Sequence, residues 1–176
     1  MVLLRLNWIV CVVPIPVVLP VITPETVALK RAVNRPVDPL MRTALAADVD
    51  EVLLTPNSVD CFNPKVVRAA SGAHIALPIA TNLAWEAIEE RIIMHCEGER
   101  RVFLAEAGSP HLYFEQDLRQ PFALIIGNEA HGSSQEARRL ATMSISIPLA
   151  NGVESLNAAM AVGIVLYEVV RQATTV

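Results

Sequence analysis

Apolar residues run along this chain in two rhythms that alternate from one end to the other. Short unbroken runs of strand type recur at Glu51 to Thr55 (EVLLT), Leu77 to Ile79, Arg101 to Ala107 (RVFLAEA), Ala123 to Gly127 and Ile145 to Ile147. Helical stretches with start and stop signals lie between them. Thr23-Pro24-Glu25 sets a hydroxyl cap before a first-turn proline, for a helix to about Val33. Pro36 and Pro39 interrupt the backbone, and Leu40 to Ala47 reads as helix again. After the turn-rich TPNSVDCFNP, Asn63 and Pro64 open a helix that Gly72 ends. Asn82 is the expected cap of a helix carrying Trp85, Ile88 and Ile92, and Gly108-Ser109-Pro110 is a turn. Ser133 and Glu136 are spaced as a capping box for a helix to Leu140, and a long apolar helix runs from Leu156 to Gln172. Strands alternating with helices predict an α/β fold: a mainly parallel sheet with helices on both faces.

Composition agrees with that picture. Of 176 residues 53% are hydrophobic and 18% charged, as an apolar sheet covered on both faces requires. The net charge of −4 excludes a generally basic RNA-binding surface, so any RNA contact must come from local arginines and lysines. Cys11, Cys61 and Cys96 show no CxxC spacing, and the four histidines show no metal-ligand spacing. A reduced, cytoplasmic compartment and no metal follow as expectations. Residues 8 to 22 are apolar, but prolines 14, 16 and 20 interrupt them and no small-residue cleavage site follows. They read as a buried strand or irregular segment rather than a targeting or membrane-spanning one.

Two tight polar turns, about twenty residues apart, carry the chemistry. The first is Gly127-Asn128-Glu129, directly after the strand ALII; the second spans Pro148 to Asn157, between a short strand and the last helix. Gly127 lets backbone approach a ligand closely, and Ser155 is a plausible helix cap. Asn157 is a carboxamide beside an apolar helix and needs a partner if buried. Gly163 inside that helix costs about 1 kcal/mol relative to alanine, which close helix packing would offset.

Gly127, Asn128, Glu129, Gly132, Pro148, Glu154, Ser155, Leu156, Asn157 and Gly163 together resemble the second and third motifs of the SpoU/TrmH branch of the SPOUT methyltransferases. The likeness extends over residues 40 to 172. It implies a C-terminal trefoil knot, a homodimer, and S-adenosyl-L-methionine-dependent methylation of ribose 2′-hydroxyls in tRNA or rRNA. It also implies cofactor contacts from Gly127, Ile147, Pro148, Leu149, Leu156 and Asn157. Arg42 sits where the family has its catalytic arginine, with Asn128, Glu129, Ser155 and Asn157 shaping the site. An arginine stays charged, so Arg42 acts as a base only in an unusual site; otherwise it orients phosphate and stabilises charge. Lys65, Arg68, Arg138 and Arg139 are candidate phosphate contacts or solvated charges, His131 a solvated loop residue, and Trp8 and Trp85 core residues.

The first family motif is altered. Pro36 stands six residues before Arg42, where the family has asparagine, and no glycine precedes Gly72. No first strand with an acidic end is recognisable. Residues 1–39 are therefore set apart as an atypical segment, explicable by a frameshift or misassigned start, and residues 40–176 as the methyltransferase domain. The alternative reading is a catalytically impaired SPOUT-fold protein that binds cofactor or RNA without methyl transfer.

Overall fold

The computed structural model describes residues 8–12, 37–56, 58, 60–96, 99–127 and 133–174, with the backbone alone for 8–12 and 37–39. The helix expected from Thr23 and the turn at Pro36 lie outside them. Six strands are described: β1 (Trp8–Val12), β2 (Glu51–Leu54), β3 (Ile79–Ala80), β4 (Val102–Ala105), β5 (Phe122–Ile126) and β6 (Met143–Ile145). The helices are α1 (Val37–Ala46), α2 (Pro64–Ala69), α3 (Ala73–Ala76), α4 (Trp85–His95), α5 (Gln135–Leu140) and α6 (Ala158–Thr174). The strands form one sheet in the order β3-β2-β1-β5-β4-β6, and all pairings are parallel.

The first strand, unrecognised from sequence, is Trp8–Val12. It pairs with β2 on one side and β5 on the other, so these five residues belong to the same sheet as the rest of the chain. The sequence pattern hid it because a doubly covered parallel strand is uniformly apolar and has no alternation to read.

Burial divides along the strands with period two. Val52 and Leu54, Phe103, and Phe122, Leu124 and Ile126 face one core; Leu53, Leu104 and Val102, and Ala123 and Ile125 face the other. Leu40, Met41 and Ala44 of α1, Val66 of α2, Ala73 of α3 and the stripe Val162, Val165, Leu166 and Val169 of α6 cover the first face. Ile88 and Ile92 of α4 with Ala137 and Leu140 of α5 cover the second. Trp85 packs against that second core, as the sequence suggested. Across the first face, Phe103 and Phe122 meet edge to face at 5.2 Å.

Element ends differ from the sequence expectations for local reasons. Helix α4 starts at Trp85 with Ala84 at its cap and no side-chain bond. Asn82 is not that cap: Leu83 N–H bonds Leu54 C=O at 3.0 Å, which holds the chain at the sheet end and leaves Asn82 in a left-handed turn (φ 57°). Ser134, not Ser133, caps α5 by accepting the Ala137 N–H at 3.1 Å. β6 ends at Ile145 because its ladder with β4 stops at the Ala105–Ile145 pair. Helix α6 begins two residues later than expected. Asn157 rather than Ser155 caps it, with its side-chain oxygen accepting the Ala159 N–H at 3.0 Å. At the far end of α6, Gln172 accepts the Leu118 N–H (2.9 Å) and donates to Gln116 C=O (3.0 Å), fixing the connection between β4 and β5.

Gly163 faces α1 within the chain: a Cβ there would sit 3.7 Å from Thr43 Cγ2, an ordinary contact. Close packing therefore does not demand glycine. Gly163→Ala is expected to raise unfolding free energy by up to about 1 kcal/mol. Asn157→Ala is expected to lower it by about 1 kcal/mol through loss of the cap. Urea titration of both variants checks these signs.

Candidate functional site

In an open parallel sheet, ligands bind beyond the carboxyl ends of the strands, near the point where strand order reverses. Here the chain runs outward from β1 through β2 to β3, then returns on the other side of β1. The reversal lies between β1 and β5. Beyond the carboxyl ends of β4, β5 and β6 lies a cavity of about 270 Å³.

Its floor is apolar and small: Ala105, Ile126 and Ile145 from the strand ends, with Ala158 and Ala161 from the first turns of α6. Gly127 enters from the first polar turn; Ile147, Leu149, Ser155 and Leu156 enter from the second. The two turns singled out in the sequence thus meet at one cleft. Pro148 and Asn157, expected among the cofactor contacts, do not line it. Asn157 is exposed and its side-chain oxygen is engaged at the α6 cap, because helix geometry claims that oxygen first. Asn128, Glu129, His131 and Gly132 lie outside the described residues. Arg42 is exposed on α1 and does not line the cavity.

Glu106, Ala107 and Ser133 also line the cleft and were missed from sequence. The available signal was positional, since Glu106 and Ala107 directly follow β4. Glu106 is the single charged side chain among the described lining residues. Arg138 of α5 bonds its Oε1 at 2.6 Å, and Ser144 Oγ approaches its Oε2 at 3.3 Å. Arg138, a candidate phosphate contact, is thus already paired at the cavity mouth.

Serines after β4 and on β6 hold the cavity wall. Ser109 Oγ donates to Ser144 C=O (2.7 Å), Ser146 Oγ donates to Ser109 C=O (2.7 Å), and Ser146 N–H donates to His111 C=O (2.8 Å). These bonds extend the β4–β6 pairing past the last ladder residues, so the walls stand without a ligand. An apolar slot edged by a carboxylate, two hydroxyls and turn backbone suits a nucleoside-like molecule: apolar surface for a ring, acceptors and donors for hydroxyls.

Burial pushes the Cys61 and Cys96 thiols above their usual range, with Asp60 adding to the rise at Cys61. Neither is poised as a nucleophile. No cluster of His, Cys, Asp and Glu capable of holding a metal occurs among the described residues. No described helix is long and apolar enough to cross a membrane.

The model of the SpoU rRNA Methylase family matches residues 37–167. The mitochondrial rRNA methyltransferase 3A of Danio rerio is 36% identical over 174 aligned positions, taking in 76% of this chain and 40% of that protein. The 23S rRNA (guanosine(2553)-2′-O)-methyltransferase RlmP of Bacillus subtilis is 33% identical over 129 positions, covering 73% of this chain and 50% of that protein. The crystal structure of an AdoMet-bound rRNA methyltransferase from Sinorhizobium meliloti superposes with a TM-score of 0.75 at 26% identity, covering 96% of this chain and 57% of that one. The chain spans half or less of the length of these two curated relatives. With the family model, the sequence relatives and the parallel sheet with its carboxyl-edge cleft in agreement, this chain belongs to the SpoU rRNA methylase family.

Proposed function

We propose that this chain is the methyltransferase domain of an RNA ribose 2′-O-methyltransferase, with S-adenosylmethionine as methyl donor. The observation that carries the reading is the meeting of the two polar turns, Gly127 and Ile147 to Leu156, over one apolar cleft at the carboxyl edge of the sheet. The Sinorhizobium meliloti relative is AdoMet-bound, and RlmP is named for a ribose 2′-O reaction on RNA.

The residues present fit that donor. Ala105, Ala107, Ala158 and Ala161 leave room for a flat ring beside Ile126, Ile145 and Leu156, while Glu106, Ser133 and Ser155 offer polar partners for ribose hydroxyls. When bound, S-adenosylmethionine supplies an electrophilic methyl group on a sulfonium. The chain's own residues exclude water from the ring, fix its orientation and present the RNA. Asn128, Glu129 and Ser155 shape the site. Asn157 contributes by holding the start of α6, whose first turns form one cavity wall. Arg42 orients RNA phosphate and polarises the target hydroxyl from its exposed position on α1.

The same reading includes a trefoil knot through the C-terminal third and a homodimer. Met160 and Tyr167, both more than half exposed and seven residues apart on α6, provide an apolar stripe for the second copy. Free, buried Cys61 and Cys96 support a reduced compartment such as the cytoplasm.

Calorimetry with S-adenosylmethionine is expected to show one site per chain. Ala161→Leu, which fills the cleft, is expected to weaken it about tenfold or more. Arg42→Ala is expected to leave donor affinity unchanged and to cut transfer of labelled methyl groups to total rRNA or tRNA by roughly a hundredfold. Donor binding with no transfer from the wild-type chain would favour a non-catalytic binder. Absence of donor binding would end the reading.

A further inference from the structure

A second cavity, of about 190 Å³, opens on the same edge of the sheet, beyond the ends of β2 and β3. Leu54, Thr55, Ser58, Asp60, Cys61, Phe62, Thr81 and Asn82 line it. Its character is unlike the first: hydroxyls, a carboxylate and a carboxamide surround one aromatic ring.

Register places the two cavities side by side. Val12 of β1 stands opposite Leu54 on one side and Ile126 on the other. Leu54 lines the second cavity and Ile126 the first. One strand separates them, two inter-strand steps or roughly 10 Å. A nucleotide spans that interval: a base held in the second cavity presents its ribose toward the first.

The lining is arranged for a base. Phe62 is 55% exposed, a large penalty for an aromatic ring with no partner on its outer face. His74 backs it at 5.8 Å and fixes the corner by donating from Nε2 to Cys61 C=O at 2.5 Å. Asp60 Oδ1 accepts the Phe62 N–H at 3.0 Å, which orients the carboxylate beside the ring. Asn82 is held in a left-handed conformation, φ 57°, by the bond from Leu83 to the end of β2. Such conformations collect at functional sites. Single-stranded RNA bases are recognised by stacking on aromatic side chains and by hydrogen bonds to their edges.

We propose that this second cavity binds the base of the nucleotide to be methylated, and that the base is guanine; the assignment of the base to the methylated nucleotide rests on the function proposed above. A carboxylate only accepts, and guanine alone presents two adjacent donors, N1–H and the 2-amino group, on one edge. The neighbouring O6 accepts from the Asn82 amide. Phe62 supplies the stacking face. The burial-raised Cys61 thiol keeps its proton, so Asp60 carries the charge in this cavity.

The test uses the whole chain saturated with S-adenosylmethionine and titrates 5′-GMP, IMP, AMP, UMP and CMP to millimolar concentration, read by NMR shifts of the Asn82 amide and the Phe62 ring. GMP is expected to bind roughly tenfold or more tightly than AMP, UMP and CMP, with IMP between them. Asp60→Ala is expected to erase the preference. Phe62→Ala is expected to weaken every nucleotide about tenfold, and Phe62→Tyr to restore binding. Both positions are exposed, so the fold survives, and unchanged calorimetric affinity for S-adenosylmethionine verifies that. Equal binding of all nucleotides, no saturable shift with any, or a guanine preference that persists in Asp60→Ala overturns the proposal. Because nucleotide and donor are measured separately, loss of donor binding in the wild type would overturn the function above without deciding what this cavity binds.

Discussion

Phe122 to Ile126 must satisfy two neighbours at once. β5 pairs with β1 along one edge and with β4 along the other, and each of its five side chains is buried in one of the two cores. A slip of one residue would exchange the faces of every side chain on it. Phe122, Leu124 and Ile126 would then leave the core made by α1 and α6 for the shallower one made by α4 and α5. The register of this strand therefore fixes the level at which the neighbouring strands end. It sets where Gly127 turns away and hence where both cavities open.

The two cavities share an edge but differ in chemistry. The one at β4, β5 and β6 is walled by alanine, isoleucine and leucine, with one carboxylate held by Arg138. The one at β2 and β3 is polar around a single ring. An apolar slot for a donor beside a polar pocket for a base separates the two recognition tasks of a group transfer. Each can then vary without the other, as a family whose members act on different RNA sites requires.

Much of this was legible in sequence. The two polar turns declared themselves because a glycine or a proline ends each apolar strand run at a sharp boundary, and those breaks set Gly127, Ile147, Leu149, Ser155 and Leu156 around the same cleft. Three kinds of feature were not legible. Trp8–Val12 gave no periodicity because a central parallel strand has none, and its prolines downstream argued against regular structure. Cap positions shifted by one or two residues, as at Ser134 and Asn157, because several adjacent polar residues could serve and only the backbone path decides among them. Glu106, Asp60 and Asn82 belong to no local pattern. Their roles arise from strands brought together across the sheet, through pairings far apart in sequence.

The clasp between Gln172 and the backbone of Gln116 and Leu118 ties the final turn of α6 to a crossover more than fifty residues upstream. Its geometry makes the carboxyl tail a structural keystone rather than a free end. A nonsense codon that removed only the last few residues would spare it. One that removed Gln172 would strip an acceptor from a buried amide and a donor from its neighbour, loosening a segment that nothing in the linear order of the chain connects to the lesion.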